Sequence, residues 1–141
     1  MIDFLSSKYS VIQTEKTITP SDVKDFDNVI SFGYKHIIRE GVLDACGGRI
    51  INLHISYLPY NRGYHPNFWS FINDTPKGVS IHYIDKGIDT GDILLQKEVE
   101  FSKEENTLKK TYDRLIDEIQ NLFINEHERI LNREIDPTPQ K

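Results

Sequence analysis

The sequence predicts an α/β layer fold on an open, twisted, mostly parallel sheet. Three observations carry this. Short β-branched or apolar runs at residues 28–32, 49–55 and 79–84 alternate with segments of helical spacing, the order that builds strand–helix–strand units. The first two runs are apolar at most positions, as a strand covered on both faces requires. The length of 141 residues, 38% of them hydrophobic and 28% charged, suits one globular domain.

The elements follow in order. Residues 1–8 suit a short helix. Tyr9-Ser10-Val11-Ile12-Gln13-Thr14 reads as a strand, being rich in aromatic and β-branched residues. Thr19-Pro20-Ser21-Asp22 is a helix start, with Thr19 as N-cap, Pro20 in the first helical position and Asp22 in the first turn. Residues 28–32 form an apolar run ending at Gly33, consistent with a buried parallel strand. Residues 37–45 predict a short helix ended by Gly47-Gly48. Residues 49–55 are the next strand, and residues 57–66, with Pro59, Gly63 and Pro66, are irregular. Residues 67–73 carry Phe68, Trp69, Phe71 and Ile72, which fits a helix with one well-buried face and reads Phe68 and Trp69 as core. Residues 79–84 alternate as a strand, residues 85–92 form a glycine-punctuated loop, and residues 93–101 make a further strand. Ser102-Lys103-Glu104-Glu105 has the pattern of a capping box. Leu108, Tyr112, Leu115, Ile119, Leu122 and Phe123 then recur at helical spacing, giving the longest helix, to about residue 132. Asp136-Pro137-Thr138-Pro139 cannot continue it, because proline lacks the backbone donor.

Charge and composition narrow the functional classes. Lys and Arg total 17 and Asp and Glu 22, a formal net charge of −5, so nothing draws the chain as a whole to nucleic acid or an anionic membrane. No apolar run approaches the roughly 20 residues that span a bilayer. The first residues lack the basic and apolar regions of a secretory signal, so the expected location is cytoplasmic. A single cysteine, Cys46, excludes an internal disulfide and a zinc site built on several cysteines.

Three clusters could carry chemistry. Asn52 and His54 lie two apart on an otherwise apolar strand, so their side chains share a face near its carboxyl end. They are either a hydrogen-bonded pair that ties down the following loop or part of a site. Asp85-Lys86-Gly87-Ile88-Asp89-Thr90-Gly91-Asp92 packs three carboxylates and two glycines into a loop after a strand. It lacks the spacing of a calcium-binding EF-hand, and reads as a solvated acidic turn or as a loop turning one Asp toward a site. Arg62, in the stretch from Leu58 to Trp69, could bind a carboxylate or phosphate, or pair on the surface. His36, His65, His82 and His127 show no metal-ligand spacing, and no metal is expected. No activated serine motif or phosphate-binding loop is present, and Cys46 reads as an inert thiol.

Taken together, Asn52-Leu53-His54-Ile55-Ser56-Tyr57-Leu58-Pro59, Arg62-Gly63 and Ile81-His82-Tyr83-Ile84-Asp85-Lys86-Gly87-Ile88-Asp89-Thr90-Gly91-Asp92-Ile93-Leu94 resemble the folate-dependent formyltransferase family. That family includes the glycinamide ribonucleotide, methionyl-tRNA and nucleotide-sugar N-formyltransferases. The resemblance covers roughly residues 29–101. It implies a Rossmann-like formyltransferase sheet and transfer of a formyl group from N10-formyltetrahydrofolate to a primary amine. It matches Asn52, His54 and Asp89 to the family's catalytic Asn, His and Asp. It places the folate pocket at Phe32, Gly33, Tyr34, Ile37 and the loop Ile84, Asp85, Gly87, Ile88 and Asp92, and the acceptor's entry at Arg62, Gly63 and His65. The implied partner is a small-molecule amine, an amino sugar on a nucleotide before methionyl-tRNA, and a homo-oligomer is compatible. Relatives begin with a strand and a glycine-containing turn, so the 141 residues are expected to form a single catalytic domain that lacks the first strand and is incomplete at the N-terminus. The alternative is a catalytically impaired formyltransferase-like fragment that binds folate or a partner through its exposed sheet.

Overall fold

The computed structural model describes all 141 residues. In chain order the elements are α1 (Ile2–Lys8), α2 (Pro20–Val23), β1 (Val29–Phe32), α3 (Glu40–Ala45), β2 (Ile50–His54), α4 (Pro66–Ile72), β3 (Gly78–Tyr83), β4 (Ile93–Glu98) and α5 (Leu108–Leu131). The four strands form one sheet in the order β1-β2-β3-β4. No helix is long and apolar enough to cross a membrane.

The α/β class and the open sheet stand as expected, but the strand directions are mixed. β1 and β2 are parallel, whereas β2–β3 and β3–β4 are antiparallel. Strand composition carries no direction. The connection sets it, and the short loop from Ile84 to Asp92 can join β3 to β4 only as a hairpin.

Alternation along β2 divides the sheet into two faces. Ile51 and Leu53 point one way and join Val79 and Ile81 of β3 against Leu115, Ile119 and Phe123 of α5. Ile50, Asn52 and His54 point the other way. Ile50 packs there with Val23 of α2 and with Val42 and Leu43 of α3. A 24-residue amphipathic helix thus closes one face, while two short helices cover only part of the other, leaving the polar end of β2 to a loop.

Other local expectations resolve as follows. Residues 9–14 form no strand, and Ile12 is 72% exposed. No strand edge pairs with the segment. It is held by side chains just beyond it: Ile18 N–H donates to Tyr34 Oη (3.0 Å), and Tyr34 Oη donates to the Lys16 carbonyl (2.9 Å). Helix α4 forms, but it buries Pro66, Asn67 and Ser70 and turns Phe68 (40% exposed) and Trp69 (46% exposed) outward. Polar bonding sets that face, since Asn67 Nδ2 donates to the Leu108 carbonyl and to Thr111 Oγ1 of α5 (3.1 and 3.0 Å). The long helix starts at Leu108, capped by the Thr107 side chain accepting from Lys110 N–H. Upstream, the Glu105 carboxylate accepts from Ser102 N–H at 2.9 Å with no α-helix between them.

Candidate active site

Strand register brings four polar side chains to the face opposite α5. Asn52 lies across from His82, and His54 across from Ser80. All but Asn52 are buried. Such groups are tolerated in a sheet only with partners; Ser80, His82 and Asn52 have them, whereas His54 keeps one buried ring nitrogen without one.

Ser80 anchors the chain leaving β2. Its Oγ donates to the Ser56 carbonyl (2.7 Å), and accepts from Leu58 N–H (3.1 Å) and from Gln96 Nε2 (2.9 Å). Ser56 Oγ then donates to the Tyr60 carbonyl at 2.9 Å. These bonds fix the irregular stretch that delivers Arg62 and Gly63.

His82 orients Asn52. Its Nδ1 lies 2.7 Å from the Tyr83 carbonyl, which places the ring proton there and leaves Nε2 to accept from Asn52 Nδ2 at 3.1 Å. The second Asn52 Nδ2 hydrogen reaches Asp89 Oδ1 at 3.3 Å. The other Asp89 oxygen accepts from Gly63 N–H at 2.9 Å and faces His54 Nδ1 at 3.7 Å. Asn52, His54, His82 and Asp89 thus meet, although Asp89 comes from a different loop.

The loop is shaped to present that carboxylate. Asp85 Oδ1 accepts from Gly87 N–H (2.9 Å) and Thr90 Oγ1 (2.6 Å), and so acts within the turn. At Gly91 a Cβ would collide with the Tyr83 carbonyl, so only glycine allows the hairpin to close there. Asp89 itself has φ +51°, a left-handed conformation that its surroundings must hold.

The charges are set by burial and neighbours. Burial works to raise the Asp89 pKa, but the His82 and His54 rings and the Gly63 N–H outweigh it, and the carboxyl lies below its ordinary 3.8. Burial is the largest influence on His54 and holds it below its ordinary 6.5, against the pull of Asp89 and with His82 adding to the lowering. A neutral imidazole therefore stands beside an ionised carboxylate at neutral pH. His54 Nε2 is buried with no partner in the chain, which leaves it free for a bound group.

The remaining predicted site residues are placed as follows. Gly33 takes φ +63° at the end of β1, and the Tyr34 hydroxyl is engaged with residues 16 and 18. Phe32, in register with Leu53, packs on the α5 side, and Ile84 packs with the Ile50 cluster. Ile37 (85%) and Ile88 (72%) project into solvent, and Ile88 Cγ2 lies over Gly63. Asp92 is exposed, and its carbonyl accepts from Tyr83 N–H. His65 is exposed at the start of α4, while Arg62 donates from Nε and Nη2 to Gln140 Oε1 (3.1 and 2.7 Å). The sequence reading did not select His82 or Gln140. His82 repeats with Ser80 the pattern that singled out Asn52 and His54, polar residues two apart on an apolar strand; Gln140 has no such local signal. No group of three or more His, Cys, Asp or Glu side chains is arranged to hold a metal ion.

Comparison with known proteins places this arrangement. The crystal structure of the formyltransferase PseJ from Anoxybacillus kamchatkensis, in complex with UDP-4,6-dideoxy-4-formamido-L-AltNAc and tetrahydrofolate, is 43% identical, with a TM-score of 0.91 over 99% of this chain and 75% of that one. Phosphoribosylglycinamide formyltransferase from Bacillus halodurans is 31% identical, with a TM-score of 0.65 over 76% of this chain and 53% of that one. Methionyl-tRNA formyltransferase of Solibacter usitatus is 37% identical over 74% of this chain, and only 36% of that relative is covered. The chain thus spans about a third of the length of such relatives. The family model described as Formyl transferase matches residues 11–126, a span that holds Asn52, His54, His82 and Asp89, and the chain belongs to that family.

Proposed function

We propose that this chain transfers a formyl group from N10-formyltetrahydrofolate to the primary amine of a small acceptor, a nucleotide-linked amino sugar. The observation that carries the reading is the meeting of an amide, a neutral imidazole with a free buried nitrogen and an ionised carboxylate at one point. As an amine attacks a formyl carbon, the formyl oxygen gains negative charge. Asn52 Nδ2, by turning toward it the hydrogen now 3.3 Å from Asp89 Oδ1, and His54 Nε2, when it carries the ring proton, are the donors that can reach it, and preorganised donors of this kind are worth on the order of 10²–10³ in rate each. The nitrogen gains positive charge at the same time, and Asp89, ionised and held by Gly63 N–H, can take its proton directly or through a water. When the bond from the formyl carbon to the folate nitrogen breaks, that proton returns to the departing nitrogen, and the transfer balances without a covalent enzyme intermediate.

The acceptor class rests on likeness to PseJ, whose crystal structure holds a formamido sugar on UDP and which matches nearly the whole chain. The −5 net charge disfavours a tRNA acceptor. Methionyl-tRNA is the second reading, favoured by the relatives that carry that name. The test is a panel of nucleotide-linked amino sugars, the glycinamide ribonucleotide and methionyl-tRNA, each incubated with N10-formyltetrahydrofolate while tetrahydrofolate release is followed. Release with an amino sugar and not with the others is the expected result. Release only with methionyl-tRNA would move the assignment there.

A further inference from the structure

After α5 the chain doubles back beside β4. Thr138 and Ile93 exchange two backbone hydrogen bonds, each of 2.8 Å. This bridge carries Gln140 to the outer side of the Asp89 loop. There its Nε2 donates to the carbonyls of Asp89 (2.9 Å) and Gly91 (2.7 Å), and its Oε1 accepts from Nε and Nη2 of Arg62 (3.1 and 2.7 Å). Both amide hydrogens and the amide oxygen are used, so only a side chain with a donor pair and an acceptor at this reach fits.

These bonds close a circuit. The Asp89 carboxylate accepts from Gly63 N–H, Gly63 follows Arg62 in the chain, Arg62 donates to Gln140, and Gln140 donates back to the Asp89 carbonyl. Asp89 is held from its side chain and from its backbone at once, as its left-handed φ requires. Arg62 is oriented by a neutral oxygen. Its charge is therefore not cancelled by the contact that holds it, and it remains able to bind an anion.

We propose that Gln140 is a positioning residue that locks the Asp89 loop and Arg62 into one unit, fixing the carboxylate for proton transfer and the guanidinium for an anionic group, such as a phosphate, on the acceptor. The inference rests on the formyl-transfer reading for its kinetic part only.

Two variants of the full chain separate the two halves of the contact. Gln140→Met keeps the length and loses every hydrogen bond. It should lower kcat and raise the acceptor KM, each on the order of tenfold, the scale of one or two lost hydrogen bonds. Gln140→Glu keeps an acceptor for Arg62 but turns a carboxylate oxygen toward two carbonyls. Only its protonated form can donate there, so its kcat relative to the Met variant should rise as pH falls; its ionised form pairs with Arg62 and cancels the charge meant for the acceptor, so its acceptor KM should be raised near neutral pH and fall as the carboxyl is protonated. A merely structural tail contact predicts no such pH-dependent ratio. Amide hydrogen exchange gives a readout independent of activity. In both variants, measured near neutral pH, the Gly63 amide, which reports the Asp89 carboxylate, should exchange faster, while the amides of α5 do not change. If the parent chain transfers no formyl group, the function reading fails and the exchange result still decides the positioning role. Unchanged Gly63 exchange, or faster exchange spread evenly over α5 and the sheet, overturns the proposal.

Discussion

Asp89→Asn is the most revealing single change, because it preserves shape while altering what each atom can do. The two carboxylate oxygens accept from two different donors, Gly63 N–H at 2.9 Å and Asn52 Nδ2 at 3.3 Å. An asparagine has one acceptor and one NH2 group. Either orientation sets that NH2 against a donor, so one partly buried N–H loses its partner. Such a loss costs about 1–3 kcal/mol of stability, visible as a lower urea midpoint at unchanged slope. The kinetic effect is larger. Removing an acid–base group costs on the order of 10²–10⁴ in kcat, or roughly 2.7–5.5 kcal/mol of barrier. The carboxylate is also the group that favours protonation of His54, so without it burial acts with less opposition and the His54 limb of the pH profile moves to lower pH. The assay is tetrahydrofolate release from N10-formyltetrahydrofolate under saturating acceptor, over a pH series. A variant with kcat within about threefold of the parent and an unmoved acidic limb would refute the role given to Asp89.

Other expectations follow from the same geometry. Asn52→Ala and His54→Ala should each lower kcat about 100-fold or more, with a smaller change in acceptor KM, since both act on charge that develops during reaction. Steady-state kinetics separates the two parameters, and a pure KM effect would contradict it. His82→Phe removes the nitrogen that orients Asn52 and the donor to the Tyr83 carbonyl; it should reduce kcat on the order of tenfold and cost about 1–3 kcal/mol of stability, whereas parental kcat would leave His82 a packing residue. Stability should depend on pH near neutrality. The folded pKa of His54 is lowered, so below 6.5 the unfolded chain binds the extra proton, and stability falls as pH drops from about 6.5 toward the folded value. Asp89, also lowered, adds stability above 3.8 that is lost as pH falls through its folded value. Urea midpoints from neutral to acid pH should show the first decline in the parent and not in His54→Gln. Gly91→Ala forces the loop off the Tyr83 carbonyl and should cost both stability and kcat; a parental melting temperature would show that the loop absorbs a Cβ freely.

The candidate site was legible where chemistry and spacing coincide. Asn52 and His54 stand out because two polar residues interrupt an apolar strand on one face, and Asp89 because its loop carries glycines at fixed offsets; the structure draws the three together. His82 carries the same interruption, but screening histidines for metal spacing passes over one whose task is to orient an amide. Gln140 lies 51 residues from Asp89 and has no periodic or local signal; only the fold-back at Thr138 places it. Among the elements, strand existence followed from composition, whereas strand direction depended on loop length. Residues 9–14 have strand-forming side chains and no sheet edge to pair with. In α4 the inner face is taken by Asn67, whose Nδ2 donates twice to α5, a tertiary contact that the helical spacing of Phe68 and Trp69 does not signal.

Catalysis of formyl transfer to an amine is the role proposed for Asn52, His54 and Asp89 together. It is tested most directly by incubating the full chain with N10-formyltetrahydrofolate carrying an isotopically labelled formyl group and with nucleotide-linked amino sugars, then following the label by mass spectrometry. The label is expected on the sugar nitrogen, in step with tetrahydrofolate release, and is expected to be lost in Asn52→Ala. Label that stays on the folate or appears only as free formate with every acceptor, or that transfers undiminished in Asn52→Ala, would contradict it.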